Sequence, residues 1–178
     1  MSSDFPPPAL REAASRVASL LRDRDETISV AETAAGGLIS AALLATPGAS
    51  KVYRGGATLY TLESRIAFGG WTQANIDNYS GPSPDLVAGL ATHLRHTLAS
   101  TYAVAESGTA GPTAPRQSAN GQPGYVALAV VSENETLARD LDTGLGGDRS
   151  ANMVAFAVEA LRLVEELINK SSSQHGKI

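Results

Sequence analysis

The chain contains no cysteine. Disulfides, thiol nucleophiles and thiolate metal sites are thereby excluded. No apolar run approaches the ~20 residues of a membrane-spanning helix, so no membrane partner is expected. Basic residues are in deficit, with a net charge of −4, which argues against a general nucleic-acid binder. The amino terminus, Met1-Ser2-Ser3-Asp4-Phe5-Pro6-Pro7-Pro8, lacks the basic-then-apolar pattern of a secretory signal. Neither G-x-x-x-x-G-K-[ST] nor G-x-G-x-x-G occurs, so no ATP-binding P-loop or dinucleotide fingerprint is present. With 43% apolar residues the 178-residue chain can bury a core, and one domain is expected. A cytoplasmic location is the default.

What is present is an alternation of helical and strand patterns. Residues 1–8 read as a disordered leader, 9–170 as one domain and 171–178 as a flexible tail. Leu10, Ala13, Val17, Leu20 and Leu21 share a helical face over 9–24. A strand follows over 27–32 and a helix over 36–45. The next strand covers 53–60, then a short helix passes through Ile66 and Phe68. Ser83-Pro84-Asp85 opens a helix with an N-cap serine and a first-turn proline. Its stripe is Leu86, Leu90, Leu94 and Leu98. Strands are expected over 102–105 and 125–132. A further run over 135–143 alternates as an antiparallel neighbour. The stretch 113–124 reads as a mobile loop, and a long helix closes the chain. The fold expected is α/β, a three-layer α/β/α sandwich with a mostly parallel, mixed sheet.

Ligands in such folds sit at strand-end loops, and three stretches qualify. The first is Ile28-Ser29-Val30-Ala31-Glu32-Thr33-Ala34-Ala35-Gly36-Gly37, where a strand meets a helix start. Unpaired N–H groups and the helix dipole there favour negative charge, and Gly36 and Gly37 permit close approach. A glycine turn of this kind also serves packing alone, and Glu32 also suits a helix cap. The second is Glu106-Ser107-Gly108-Thr109-Ala110-Gly111-Pro112. The third is the turn Gly144–Ser150, in which Asp148 suits a helix cap and Arg149 an acid partner. His93 and His96 stand three apart on a helix, without a third ligand nearby, so no metal is expected.

Four segments together resemble the CinA C-terminal domain family, the nicotinamide-nucleotide amidases. Ala31–Gly37 is similar to that family's A-E-S-C-T-G-G. Tyr60-Thr61-Leu62-Glu63-Ser64-Arg65 is similar to Y-S-N-E-A-K, Ser107–Pro112 to S-G-I-A-G-P, and Gly146–Arg149 to S-G-D-R. The match covers about residues 10–168. The resemblance implies hydrolysis of the carboxamide of nicotinamide mononucleotide, with ammonia released. It implies a serine nucleophile at position 33 and a lysine base at position 65, helped by Tyr60. It also implies a homodimer and no cofactor.

Thr33 and Arg65 replace that dyad. A threonine keeps the hydroxyl but adds a methyl. An arginine stays protonated, with a pKa above ~12, and cannot act as a general base. Three readings follow. Amidase activity is lost and the pocket binds a small molecule, anionic or nucleotide-like, at Arg65. Or the pocket performs another acid–base reaction using Glu32, Tyr60, Glu63 or Glu106. Or Thr33 sustains residual amidase activity, activated by Glu32 or by water. The candidate catalytic residues are Thr33, Tyr60, Arg65 and Glu32. The candidate ligand-binding residues are Gly36, Gly37, Glu106, Gly108, Thr109, Ala110, Gly111 and Arg149.

Overall fold

A computed structural model describes residues 4–175. Helices α1 (Pro8–Asp23), α2 (Leu38–Leu44), α3 (Leu62–Phe68), α4 (Gln73–Asp77), α5 (Pro84–Leu98) and α6 (Arg149–His175) surround one sheet. The strands are β1 (Ile28–Glu32), β2 (Tyr53–Thr58), β3 (Tyr102–Gly108), β4 (Tyr125–Val131) and β5 (Thr136–Asp142). Their spatial order is β2-β1-β3-β4-β5. β2, β1 and β3 run parallel, while β4 pairs antiparallel with both β3 and β5. The expected three-layer architecture with a mixed sheet is found, its parallel part confined to three strands.

The two faces of the sheet carry different side chains. Val30, Val104, Val126, Leu128 and Val130 pack under α1, α2 and α6 in the larger core. Ala31, Ala103, Ala105, Ala127 and Ala129 pack under α5. Alanines on that face let the helix backbone lie close to the sheet. The buried face of α5 is Val87, Leu90, Ala91 and Leu94, with Leu86 and Leu98 only half-buried. A strict four-residue repeat overshoots a turn of about 3.6 residues, so the leucine row spirals off the contact face.

Parts of the segments read as leader and tail are among the described residues. Pro6 is buried, and its carbonyl accepts from Arg11 Nη2 at 3.0 Å. Helix α6 continues past Ser171 to His175. Residues 1–3 and 176–178, expected to be leader and tail, lie outside the described residues. No helix among the described residues is long and apolar enough to cross a membrane.

The register of β1 and β3 sets up the site. Val30 lies beside Val104 and Ala31 beside Ala105. Side chains alternate faces along a strand. Two residues further on, Glu32 and Glu106 therefore fall on the side of α2 and α6. Thr33 and Ser107 fall on the other side. Each strand end splits an acid from the hydroxyl next to it.

Candidate anion-binding site at the strand ends

The acids fill the helix start. Glu32 Oε2 accepts from the N–H groups of Gly37 at 3.0 Å and Ile39 at 2.9 Å. Its Oε1 accepts from the Ser40 N–H at 2.9 Å and the Ser40 hydroxyl at 2.6 Å. Glu106 Oε2 accepts from the N–H groups of Thr33 at 3.1 Å and Ala35 at 2.9 Å. The N–H groups of Gly36 and Leu38 go to the carbonyls of Thr33 and Ala35. These donors are thus taken by the protein itself. A buried carboxylate at the positive end of a helix does there what a bound anion would do.

Four of the residues singled out in the sequence lie at this turn. Glu32 and Glu106, read as acid–base or ligand-contact residues, do not line the cavity; they hold the β1–α2 turn. Gly36 and Gly37 do not line it either. Their φ values of +69° and +100° show why glycine stands there: the turn is left-handed. Burial is the main cause that raises the Glu106 pKa, to about 7. The backbone donors oppose that rise, and nearby Glu32 adds to it. Glu106 Oε1 has no partner among the described residues.

The hydroxyls face a cavity of about 480 Å³. Its lining includes Thr33, Tyr60, Arg65, Gly108, Thr109, Ala110, Gly111 and Arg149, eight of the residues singled out in the sequence. Thr33 Oγ1 donates to Ser107 Oγ at 3.1 Å. Arg65 Nη2 donates to the same oxygen over a long 3.5 Å. Arg65 is only 3% exposed. Its Nε donates to the Leu59 carbonyl at 3.3 Å, while Nη1 has no partner. The guanidinium carbon lies 5.0 Å from the Trp71 ring and 5.2 Å from the Tyr79 ring, a favourable placement for a desolvated cation.

Two further arginines reach the cavity. Arg149 Nη1 donates to the Gly111 carbonyl at 2.8 Å, and Nη2 to the Tyr60 hydroxyl at 3.2 Å. No acid among the described residues pairs with it across the loop. Arg116 also lines the cavity, its guanidinium carbon 5.0 Å from the Tyr79 ring. It sits in the stretch read as a mobile loop, yet Asn120 of that stretch donates to the carbonyls of Ser80 and Pro82. None of the three arginines forms an ion pair among the described residues. The lining holds no carboxylate, imidazole or amine.

Sequence reasoning missed Ser107, Tyr79, Trp71 and Arg116. Strand parity was the available signal for Ser107; the others sit in irregular segments without periodicity. It also missed Asn152, fully buried, whose Nδ2 donates to the carbonyls of Ala110 and Gly146. That residue ties the loop after β3 to the turn before α6. Asp148 caps α6 as expected, accepting from the Ala151 N–H at 3.0 Å.

The fold and site define an α/β domain with a polar, arginine-lined cavity at the carboxyl ends of its parallel strands. The sequence profile of the CinA C-terminal domain matches residues 10–168, and the chain belongs to that family. It is 32% identical over 156 residues to a CinA-like protein of Prochlorococcus marinus, covering 87% of this chain and 36% of that protein. It is 31% identical over 153 residues to a CinA-like protein of Frankia casuarinae, covering 85% and 34%. The chain thus spans about a third of the length of these curated relatives. Among solved structures, the competence/damage inducible protein CihA from Agrobacterium tumefaciens superposes with a TM-score of 0.82 at 27% identity. That superposition covers 92% of this chain and 97% of that one. A CinA superfamily protein from Escherichia coli shares the fold, with a TM-score of 0.80 at 20% identity over 89% and 90% of the two chains.

Proposed function

We propose that this domain binds a small anionic molecule in the cavity and does not hydrolyse nicotinamide mononucleotide by the serine–lysine route that its family resemblance implies. One observation carries the reading: Arg65 is buried in a cavity that offers it no counter-charge. A buried cation without a partner costs several kcal/mol, and an anionic ligand would offset that cost. The hydroxyl network supports the same reading. Thr33 donates to Ser107, and Ser107 also accepts from Arg65. The chain of hydrogen bonds ends on a guanidinium, which takes no proton. Residual amidase chemistry through Glu32 is disfavoured, because both of its oxygens are held by α2. Recruitment for another acid–base reaction is left with Tyr60 alone of the four groups named for it, and the Tyr60 hydroxyl already accepts from Arg149.

Ammonia release from nicotinamide mononucleotide tests this. The natural sequence is expected to release none, and Thr33→Ser with Arg65→Lys together to release some. Release by the natural sequence overturns the reading. A homodimer in the cytoplasm, acting without a cofactor, is part of the same proposal; light scattering tests the assembly.

A further inference from the structure

We infer that the deep end of this cavity selects a carboxylate over the carboxamide of the same molecule. The inference rests on the anion-binding reading and specifies it. Its ground is the hydrogen-bond capacity left over at Arg65 and Ser107. A hydroxyl has two acceptor positions and one proton. Ser107 Oγ already accepts from Thr33 and from Arg65. What remains for a ligand is its proton. Arg65 has only donors, and Nη1 is buried and unpartnered. The deep end therefore offers a ligand two donors and a positive charge, and beside them one acceptor, Thr33 Oγ1, whose proton is spent on Ser107.

A carboxylate matches this with two acceptor oxygens, through charge-assisted hydrogen bonds. A carboxamide has one such oxygen. Its NH₂ group either faces Arg65 or Ser107, donor against donor, or turns to Thr33 Oγ1 and gives up the second donor, and in both placements the guanidinium charge stays uncompensated. The mouth of the cavity makes no such distinction. Arg149 and Arg116 reach it without acidic partners and serve any second anionic group on the ligand. The site is thus built for an acid carrying a further negative group, the product side of an amide hydrolysis.

The test uses one acid–amide pair, nicotinic acid mononucleotide and nicotinamide mononucleotide, which differ only in the group at issue. Trp71 is the sole tryptophan and lies against Arg65, so its fluorescence reports occupancy directly. The acid is expected to bind at least ~10-fold more tightly, in line with the large penalty for leaving buried polar groups unpaired. Arg65→Gln should bring the two affinities together, and Ser107→Ala should narrow the gap. Arg149→Ala should weaken both ligands alike and keep their ratio. Equal affinities, a preference for the amide, or no titration by either at millimolar concentration overturns the inference. So does a ratio unmoved by Arg65→Gln in a folded variant. Ammonia is assayed in the same samples. Its release would overturn the function proposed above, whereas equal affinities without release would overturn only the acid preference.

Discussion

Glu106 accepts the backbone N–H of Thr33 at 3.1 Å, so the cavity's foremost hydroxyl is positioned by an acid buried behind it. Ala35 gives the same oxygen a second hydrogen bond. The turn that presents Thr33 is therefore pinned from the α2 side, while the Thr33 hydroxyl points to Ser107 on the other.

That arrangement makes stability depend on pH. The Glu106 pKa is raised from 4.5 to about 7 in the folded protein. Between those values the folded state keeps a proton that the unfolded state has released. Stability from this group is therefore full below pH 4.5 and falls as pH rises to about 7, then stays level. The loss is on the order of 3 kcal/mol. Glu106→Gln keeps an oxygen for the two N–H donors and cannot ionise. It is expected to unfold several degrees higher than the natural sequence at pH 8, with a flatter dependence between pH 5 and 7. Thermal denaturation across that range checks this; identical pH profiles would refute it.

Glu32 differs from Glu106 in being fully satisfied. Glu32→Ala strands the N–H groups of Gly37, Ile39 and Ser40 at the start of α2. A loss of about 3 kcal/mol or more is expected in denaturant unfolding. Ligand affinity, read by Trp71 fluorescence at a temperature where the variant is folded, should change less than twofold. A large change in affinity or turnover with unaltered stability would return Glu32 to the chemistry.

Most of the architecture was legible because burial writes itself into spacing. The apolar face of α1 and the buried run of β4 are examples, and so is the alternation of β5. The four motif segments contribute Thr33, Tyr60, Arg65 and Arg149, which the structure brings to the lining of one cavity. Two kinds of fact were not legible. A strand end written Glu-Thr or Glu-Ser places its two polar side chains on opposite faces. Which of them sees the ligand depends on the register with the neighbouring strand, a long-range property. Tyr79 and Arg116 belong to irregular segments where no period exists to read. Their meeting depends on contacts such as Asn120 with Ser80 and Pro82.

Arg65→Met separates stability from binding. Methionine fills much of the same volume and removes a buried charge that has no acidic partner. Replacing even a buried ion pair by apolar groups is often neutral or stabilises by about 1–4 kcal/mol, and Arg65 has no ionic partner to give up among the described residues. The variant is expected to unfold at higher denaturant concentration than the natural sequence and to lose the anion response of Trp71. A destabilised Arg65→Met in anion-free buffer would mean that Leu59, Ser107 and the two rings already satisfy the guanidinium.

Gly108 lines the cavity, yet its glycine identity has another cause. A Cβ there would sit 2.6 Å from the Tyr125 carbonyl oxygen and 2.8 Å from the Phe156 ring. The carbonyl belongs to β4 and accepts from Thr109 N–H, so it cannot retreat without breaking the strand pairing. Gly144 makes the comparison: its φ is +72°, but a Cβ there meets nothing within 4 Å. Gly144→Ala therefore carries only the cost of a left-handed residue, about 1–2 kcal/mol. Gly108→Ala adds overpacking against backbone, roughly 1–3 kcal/mol or more. Because Gly108 does not take a left-handed φ, the two costs arise from different physics. Denaturant midpoints of the two variants rank them, with Gly108→Ala expected to be the less stable. The reverse order would mean that β4 yields to the added methyl and that the β3–β4 edge of the cavity is softer than its hydrogen bonds imply.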